Sequence, residues 1–179
     1  MSKEIFEFLE KSASSDYVKL ADGDKTSLRI LSQPVVGFEL FNEGKPIRWR
    51  ADDKAPTLPP SEERPRKFLA FVVYEYDSKA VKVWQIGQRT IIAQLSQLFD
   101  GGEHWSTFEL ALSRRGTGME TKYTVVGKDR KCEDNLIAFA ILAGDFIQLD
   151  LLFDGASPFI KELPELGVEK AEAPANNSF

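Results

Sequence analysis

From Phe68 to Ile86 the chain reads FLAFVVYEYDSKAVKVWQI, with apolar or aromatic residues on both sides of a short polar centre. Two runs rich in β-branched and aromatic residues around a turn predict a β-hairpin. A hairpin with one dry and one wet face should carry polar residues at every second position. Here the second set also holds rings. A three-residue turn over residues 77–79 would put Tyr74, Tyr76, Lys82 and Trp84 on one face, and other turn lengths would regroup them.

The same periodicities divide the rest of the chain. Ile5, Phe8 and Leu9 fall at helical spacing and predict a short amphipathic helix before the SASSD break. Residues 17–41 read as one long strand, with a turn signal at Asp22-Gly23 and a bend at Pro34. Residues 42–66 hold Pro46, Pro56, Pro59, Pro60 and Pro65 and predict a long loop without a regular core element. In GQRTIIAQLSQLFDGG, Ile91, Ile92, Leu95, Leu98 and Phe99 share one side of a helix that Gly101-Gly102 stops. A second hairpin follows, with Phe108, Leu110 and Leu112 alternating on one strand, Gly116 and Gly118 at the turn, and Tyr123 and Val125 on the return. Residues 135–155 are apolar and read equally as short helices or as packing segments.

A long strand, a hairpin, a helix and another hairpin predict a mainly β fold. The order is that of a five-stranded OB-fold, a Greek-key barrel with one helix between strands three and four, here with short terminal helices added. The expected divisions are an N-terminal helical segment (1–16), the OB-fold domain (17–131), a packing segment that is helical or irregular (132–160) and an acidic disordered tail (161–179).

Composition narrows the class. The 179 residues suffice for one core. No apolar run is long enough for a membrane span, and the N-terminus does not have the pattern of a signal peptide, so a cytoplasmic protein is expected (host cytoplasm if viral). One cysteine, Cys132, and one histidine, His104, exclude an internal disulfide and the usual zinc clusters. The net charge of -5 is uneven: residues 1–24 carry -3, residues 25–131 carry +5 and residues 132–179 carry -7. A basic body between acidic ends suggests a polyanion ligand and end segments that compete with it.

Single-stranded nucleic acid presents phosphates and unstacked bases, so its groove needs cations and flat rings. The candidates are Lys45, Arg48, Trp49 and Arg50 in the long loop, Arg66 and Lys67 after it, Tyr74, Tyr76, Lys82 and Trp84 on the first hairpin, and Arg114, Arg115, Lys122 and Tyr123 on the second. The competing explanation for the rings is barrel core. No nucleophile motif stands near His104, no phosphate loop is present, and no enzyme, metal or cofactor is expected. Two alternatives stay open: a protein-interaction or scaffolding module of the same fold, and a metal-dependent nuclease using Asp52, Asp53, Asp77 and Glu103.

The stretches YVKLADGDKTSLRILSQPVVGFE, KPIRWR, KFLAFVVYEYDSKAVKVWQIGQRTI and SRRGTGMETKYTV resemble segments of the single-stranded-DNA-binding replication proteins of tailed bacteriophages, over about residues 17–126. The resemblance implies an OB-fold that coats single-stranded DNA during replication, recombination or repair, as a monomer or weak homodimer. It also implies an acidic tail that docks replication partners such as polymerase or helicase-primase, here through Glu165, Glu169, Glu172 and the terminal Phe179. The last seven residues hold no acidic side chain, a departure from that pattern.

Overall fold

The computed structural model of the chain describes residues 16–60 and 63–168. They form a mainly β protein built on a seven-stranded antiparallel sheet: β1 (Lys25–Ile30), β2 (Val35–Asn42), β3 (Lys45–Arg50), β4 (Arg66–Glu75), β5 (Ala80–Ile86), β6 (Phe108–Arg115) and β7 (Lys122–Asp129). Helix α1 (Arg89–Leu98) precedes β6 and helix α2 (Asp134–Leu142) follows β7. No helix among the described residues is long and apolar enough to cross a membrane. The predicted N-terminal helix lies outside the described residues.

Strand β4 organises the sheet. One edge pairs with β2 through residues 66–70 and with β1 through residues 73–75, while the other edge pairs with β5. β1 and β2 are therefore two halves of the expected bent strand, broken at Ser32-Gln33-Pro34 where proline cannot donate to the ladder. The break costs little hydrogen bonding. Val72 N donates to Ser32 Oγ at 2.9 Å, and Leu31 N donates to Val72 O at 2.8 Å.

The Pro-rich stretch contains a strand that the sequence analysis missed. Glu43 and Gly44 take φ of 50° and 76°, a two-residue hairpin turn of primed type, and β3 returns along β2 from Lys45 to Arg50. Proline is accepted because β3 is an edge strand, where Pro46 has no neighbour to serve. Residues 51–60 and 63–65 have no regular structure.

Two apolar clusters lie on opposite faces of β4 and β5. Phe68, Ala70, Val72, Tyr74, Tyr76, Val81 and Val83 pack under α2 and the segment after it, where a 3-10 turn at Leu149–Asp154 brings in Leu149, Leu152 and Phe153. Phe71, Val73, Trp84 and Ile86 pack with Leu28, Ile30, Leu110, Leu112 and the inward face of α1, Ile91 and Leu95. The central hairpin has no wet face. That explains its rings, and burying a large side chain on each side contributes on the order of 1.5–3 kcal/mol apiece.

Edge strands are closed by other means than barrel pairing. Residues 16–18 run beside β5, Val83 N donating to Asp16 O at 2.8 Å and Val18 N to Val83 O at 3.0 Å. On β7, Gln94 of α1 substitutes for a strand: its Oε1 accepts from Val125 N at 2.8 Å and its Nε2 donates to Tyr123 O at 3.1 Å. The helix approaches this closely because residue 127 is glycine; a Cβ there would lie 2.5 Å from Leu98 Cδ1.

Candidate nucleic-acid interface

Cross-strand neighbours share a face, so the register identifies what lies beside what. Glu39 of β2 stands between Arg48 of β3 and Arg66 of β4. Arg48 Nε donates to Glu39 Oε2 at 2.7 Å, an Nη2 hydrogen goes to Gln85 Oε1 at 3.1 Å, and the guanidinium lies 4.4 Å from the Phe68 ring centre. This arginine is nearly buried and fully occupied. Arg66 is half exposed, 3.4 Å from the second Glu39 oxygen, and lies 5.0 Å over the Phe41 ring.

Arg50, also half exposed, is held only by exposed carboxylates. It lies 5.0 Å over the Phe153 ring, with Nε donating to Asp150 at 3.1 Å and Nη1 at 3.8 Å from Asp53. Both carboxylates are mostly exposed. Such pairs contribute about 0–1 kcal/mol, and a phosphate can take their place. Lys45 and Lys67 are also exposed, but by register they belong to the opposite face of the sheet, that of Phe38 and Trp49. Gly37 makes the arrangement possible: a Cβ there would collide with Trp49 O and lie 2.5 Å from Phe153 Cε1.

A second group of cations belongs to the same sheet face. Continuing along the pleat, Tyr74 pairs with Arg29, Arg29 with Glu109, and Glu109 with Lys128; four and six positions further along stand Lys25, Ser113 and Thr124, then Arg115 opposite Lys122. Lys25, Ser27, Ala111, Ser113, Val126 and Lys128 line an open groove of about 360 Å³ across β1, β6 and β7. Small side chains on its floor and exposed lysines on its rim leave room for an anionic chain.

Between these groups the face is occupied by the chain itself, through α2 and residues 143–168. Residues 161–168, expected to begin a free tail, follow the body: Leu163, Leu166 and Val168 pack on the first cluster, while Glu165 is exposed. Glu169, Glu172 and Phe179 lie outside the described residues.

The anticipated rings stand elsewhere than expected. The β4–β5 turn has four residues, with Glu75 opposite Ala80, so Tyr74 and Tyr76 face one cluster while Lys82 and Trp84 face the other. All three rings are buried, Tyr74 at 1 % exposure, Trp84 at 3 % and Tyr76 at 7 %. Lys82 is bound to Glu75 at 2.5 Å. Trp49, expected in a loop, points to the opposite side of β3 from Arg48 and Arg50 and stacks on Phe38, ring centres 5.8 Å apart. Arg114 is half-buried, donating to Leu20 O at 2.7 Å with the half-buried Tyr123 ring 5.8 Å away. Of the fourteen body residues singled out from sequence, Lys45, Arg50, Arg66, Lys67, Arg115 and Lys122 are exposed.

The sequence analysis missed Phe41 and Phe153, the half-buried rings beneath Arg66 and Arg50. Their signal was a Phe at a strand end and a Phe in an apolar run, neither distinguishable from core. It also missed Arg29, which is fully buried and donates to Tyr76 Oη at 3.2 Å, Ser106 O at 2.8 Å and Arg130 O at 2.9 Å. Tyr76 in turn donates to Glu133 at 2.7 Å, and Arg130 donates to Glu109 at 2.6 Å. Burial raises the Tyr76 phenol above its ordinary range. This network ties β1, β4, β6 and α2 together.

The four carboxylates of the nuclease alternative are not gathered. Asp77 caps β1, accepting from Thr26 Oγ1 and Ser27 N at 2.9 Å each, and Asp53 lies beside Arg50. Among the described residues, no three His, Cys, Asp or Glu side chains come together as a metal site. No protein-family model, curated protein sequence or solved structure matches this chain.

Proposed function

We propose that this chain is an OB-fold protein that coats single-stranded DNA without sequence preference in phage-type replication, recombination or repair, acting by binding rather than catalysis. The connectivity supports the fold: a bent first strand (β1 and β2), β4 and β5 as the second and third strands, α1, then β6 and β7 as the fourth and fifth, with β3 added in the first long loop. The observation that carries the function is the pair of exposed cation groups on one sheet face, Arg50 and Arg66 at one end and Lys25, Arg115, Lys122 and Lys128 at the other, in a chain whose net charge is -5. A single strand laid across that face meets phosphate partners at both ends. Replication partners would dock through the tail after Val168.

Titration of labelled oligothymidine and of a duplex of equal length, at several salt concentrations, tests the proposal. Tight binding to the single strand alone is expected. Its logarithmic salt slope should be about 0.7 per phosphate neutralised, and it should fall when Arg50 and Arg66, or Arg115 and Lys122, are changed to alanine. Absence of binding to either nucleic acid at low salt would leave the scaffolding alternative in its place.

A further inference from the structure

Helix α2 has the sequence DNLIAFAIL, apolar almost all round. Such a helix is ordinarily covered on every side. Leu136 and Phe139 face the core, but Ile137, Ile141 and Leu142 are 43 %, 80 % and 53 % exposed. Two grooves flank this strip. One, of about 290 Å³, is lined by Ile30, Leu31, Trp105, Leu136 and Ala140; the other lies between Ala138 and Leu142 on one side and Pro164–Gly167 on the other.

We propose that residues 1–15 of this chain are the cover, with the stripe of Ile5, Phe8 and Leu9 laid on the strip formed by Ile137, Ile141 and Leu142. Three observations converge on that occupant. The segment carries an apolar stripe at helical spacing that needs a counter-face, with Glu4, Glu7 and Glu10 interspersed for the outer side. It joins the described chain at Asp16, which lines a depression together with Leu163–Leu166, and the far flank of that same ridge lines the groove beside α2. The chain is long enough to cross the ridge, since an extended stretch from Asp16 back to Phe8 spans about 26 Å. The other end of the protein is a poorer candidate: residues 169–179 offer alanines, a proline and one large apolar residue, Phe179.

The inference is independent of nucleic-acid binding. Covered in this way, α2 presents charge to solvent; uncovered, its strip is a site for self-association. The test is a cysteine pair, Phe8→Cys with Ile141→Cys, in a chain also carrying Cys132→Ala. Mild oxidation should give a disulfide within one chain, seen as a monomer of altered mobility on a non-reducing gel. The pair Phe8→Cys with Val126→Cys, whose second position is on the outer face of β7, should stay reduced. No disulfide in the first pair overturns the proposal. A disulfide formed only between chains also overturns it, assigning the strip to a second copy. Should the triple variant fail to fold, hydrogen exchange on the unaltered chain decides: amides of residues 5–9 should be protected and lose protection in Ile141→Asp, and unprotected amides in the unaltered chain overturn the proposal.

Discussion

Arg48 and Arg50 point to one side of β3 and Trp49 to the other, so three adjacent residues with similar apparent promise divide into separate tasks. Arg48 is structural. Its removal leaves Glu39 buried beside only the more distant Arg66, and Arg48→Ala should destabilise by about 3 kcal/mol in denaturant unfolding. Arg50 is held by two exposed carboxylates that a phosphate can displace. Asp150→Asn should therefore strengthen binding of oligothymidine by about two- to fivefold, the equivalent of a surface pair, whereas Arg50→Ala should weaken it and reduce the salt slope by about 0.7. Unchanged affinity in both variants would remove Arg50 from the DNA path. The buried tyrosines make a different prediction. Burial raises the Tyr76 phenol, and burial together with Glu133 raises that of Tyr74. Their contribution is complete below the unfolded value near 10.0 and is lost as pH rises beyond it, because the unfolded chain then releases protons that the folded one retains. Alkaline titration followed at 295 nm should show these two tyrosines ionising only together with unfolding.

Secondary elements were legible where spacing carried the information. Helix α1, the β6–β7 hairpin and the break near Pro34 follow from period, glycine and proline alone. What escaped was parity and context. One extra residue in the β4–β5 turn puts Tyr74 and Trp84 on opposite faces instead of one, and nothing in DSKA specifies the turn length. β3 was hidden by proline density, because the tolerance of an edge strand for Pro46 is a property of the assembled sheet. The cationic site was legible as composition and not as geometry: arginines and lysines were found, but which of them reach solvent depended on partners such as Glu39, Gln85 and Leu20, distant in sequence. The closure of β7 by α1 was invisible for the same reason. Gln94→Leu should leave the Val125 N–H and Tyr123 carbonyl without partners and cost about 1–3 kcal/mol. Gly127→Val should cost a similar amount by displacing Leu98. If both variants melt like the parent, α1 is not what closes that edge.

At the scale of the whole molecule, burial of the sheet on two sides decides how a nucleic acid can be held. The face of β4 and β5 that an OB-fold would offer to bases is occupied by α2 and the segment to Val168, and the tryptophans are interior or half-buried: Trp49 on Phe38, Trp84 in the second cluster, Trp105 against Phe71 and Phe99. Stacking on open tryptophan platforms contributes about 1–3 kcal/mol per base, and none is presented here. On the proposed function, binding would then rest on phosphates at the two cation groups, with Phe41 and Phe153 as the rings under Arg66 and Arg50. Saturating the protein with oligothymidine at low salt should accordingly change tryptophan emission little, while affinity falls steeply with salt. Strong quenching that saturates at the binding stoichiometry would mean the opposite. The segment over β4 and β5 would have to move aside to admit bases to the buried rings, and α2 would then be a displaceable cover instead of a fixed half of the core.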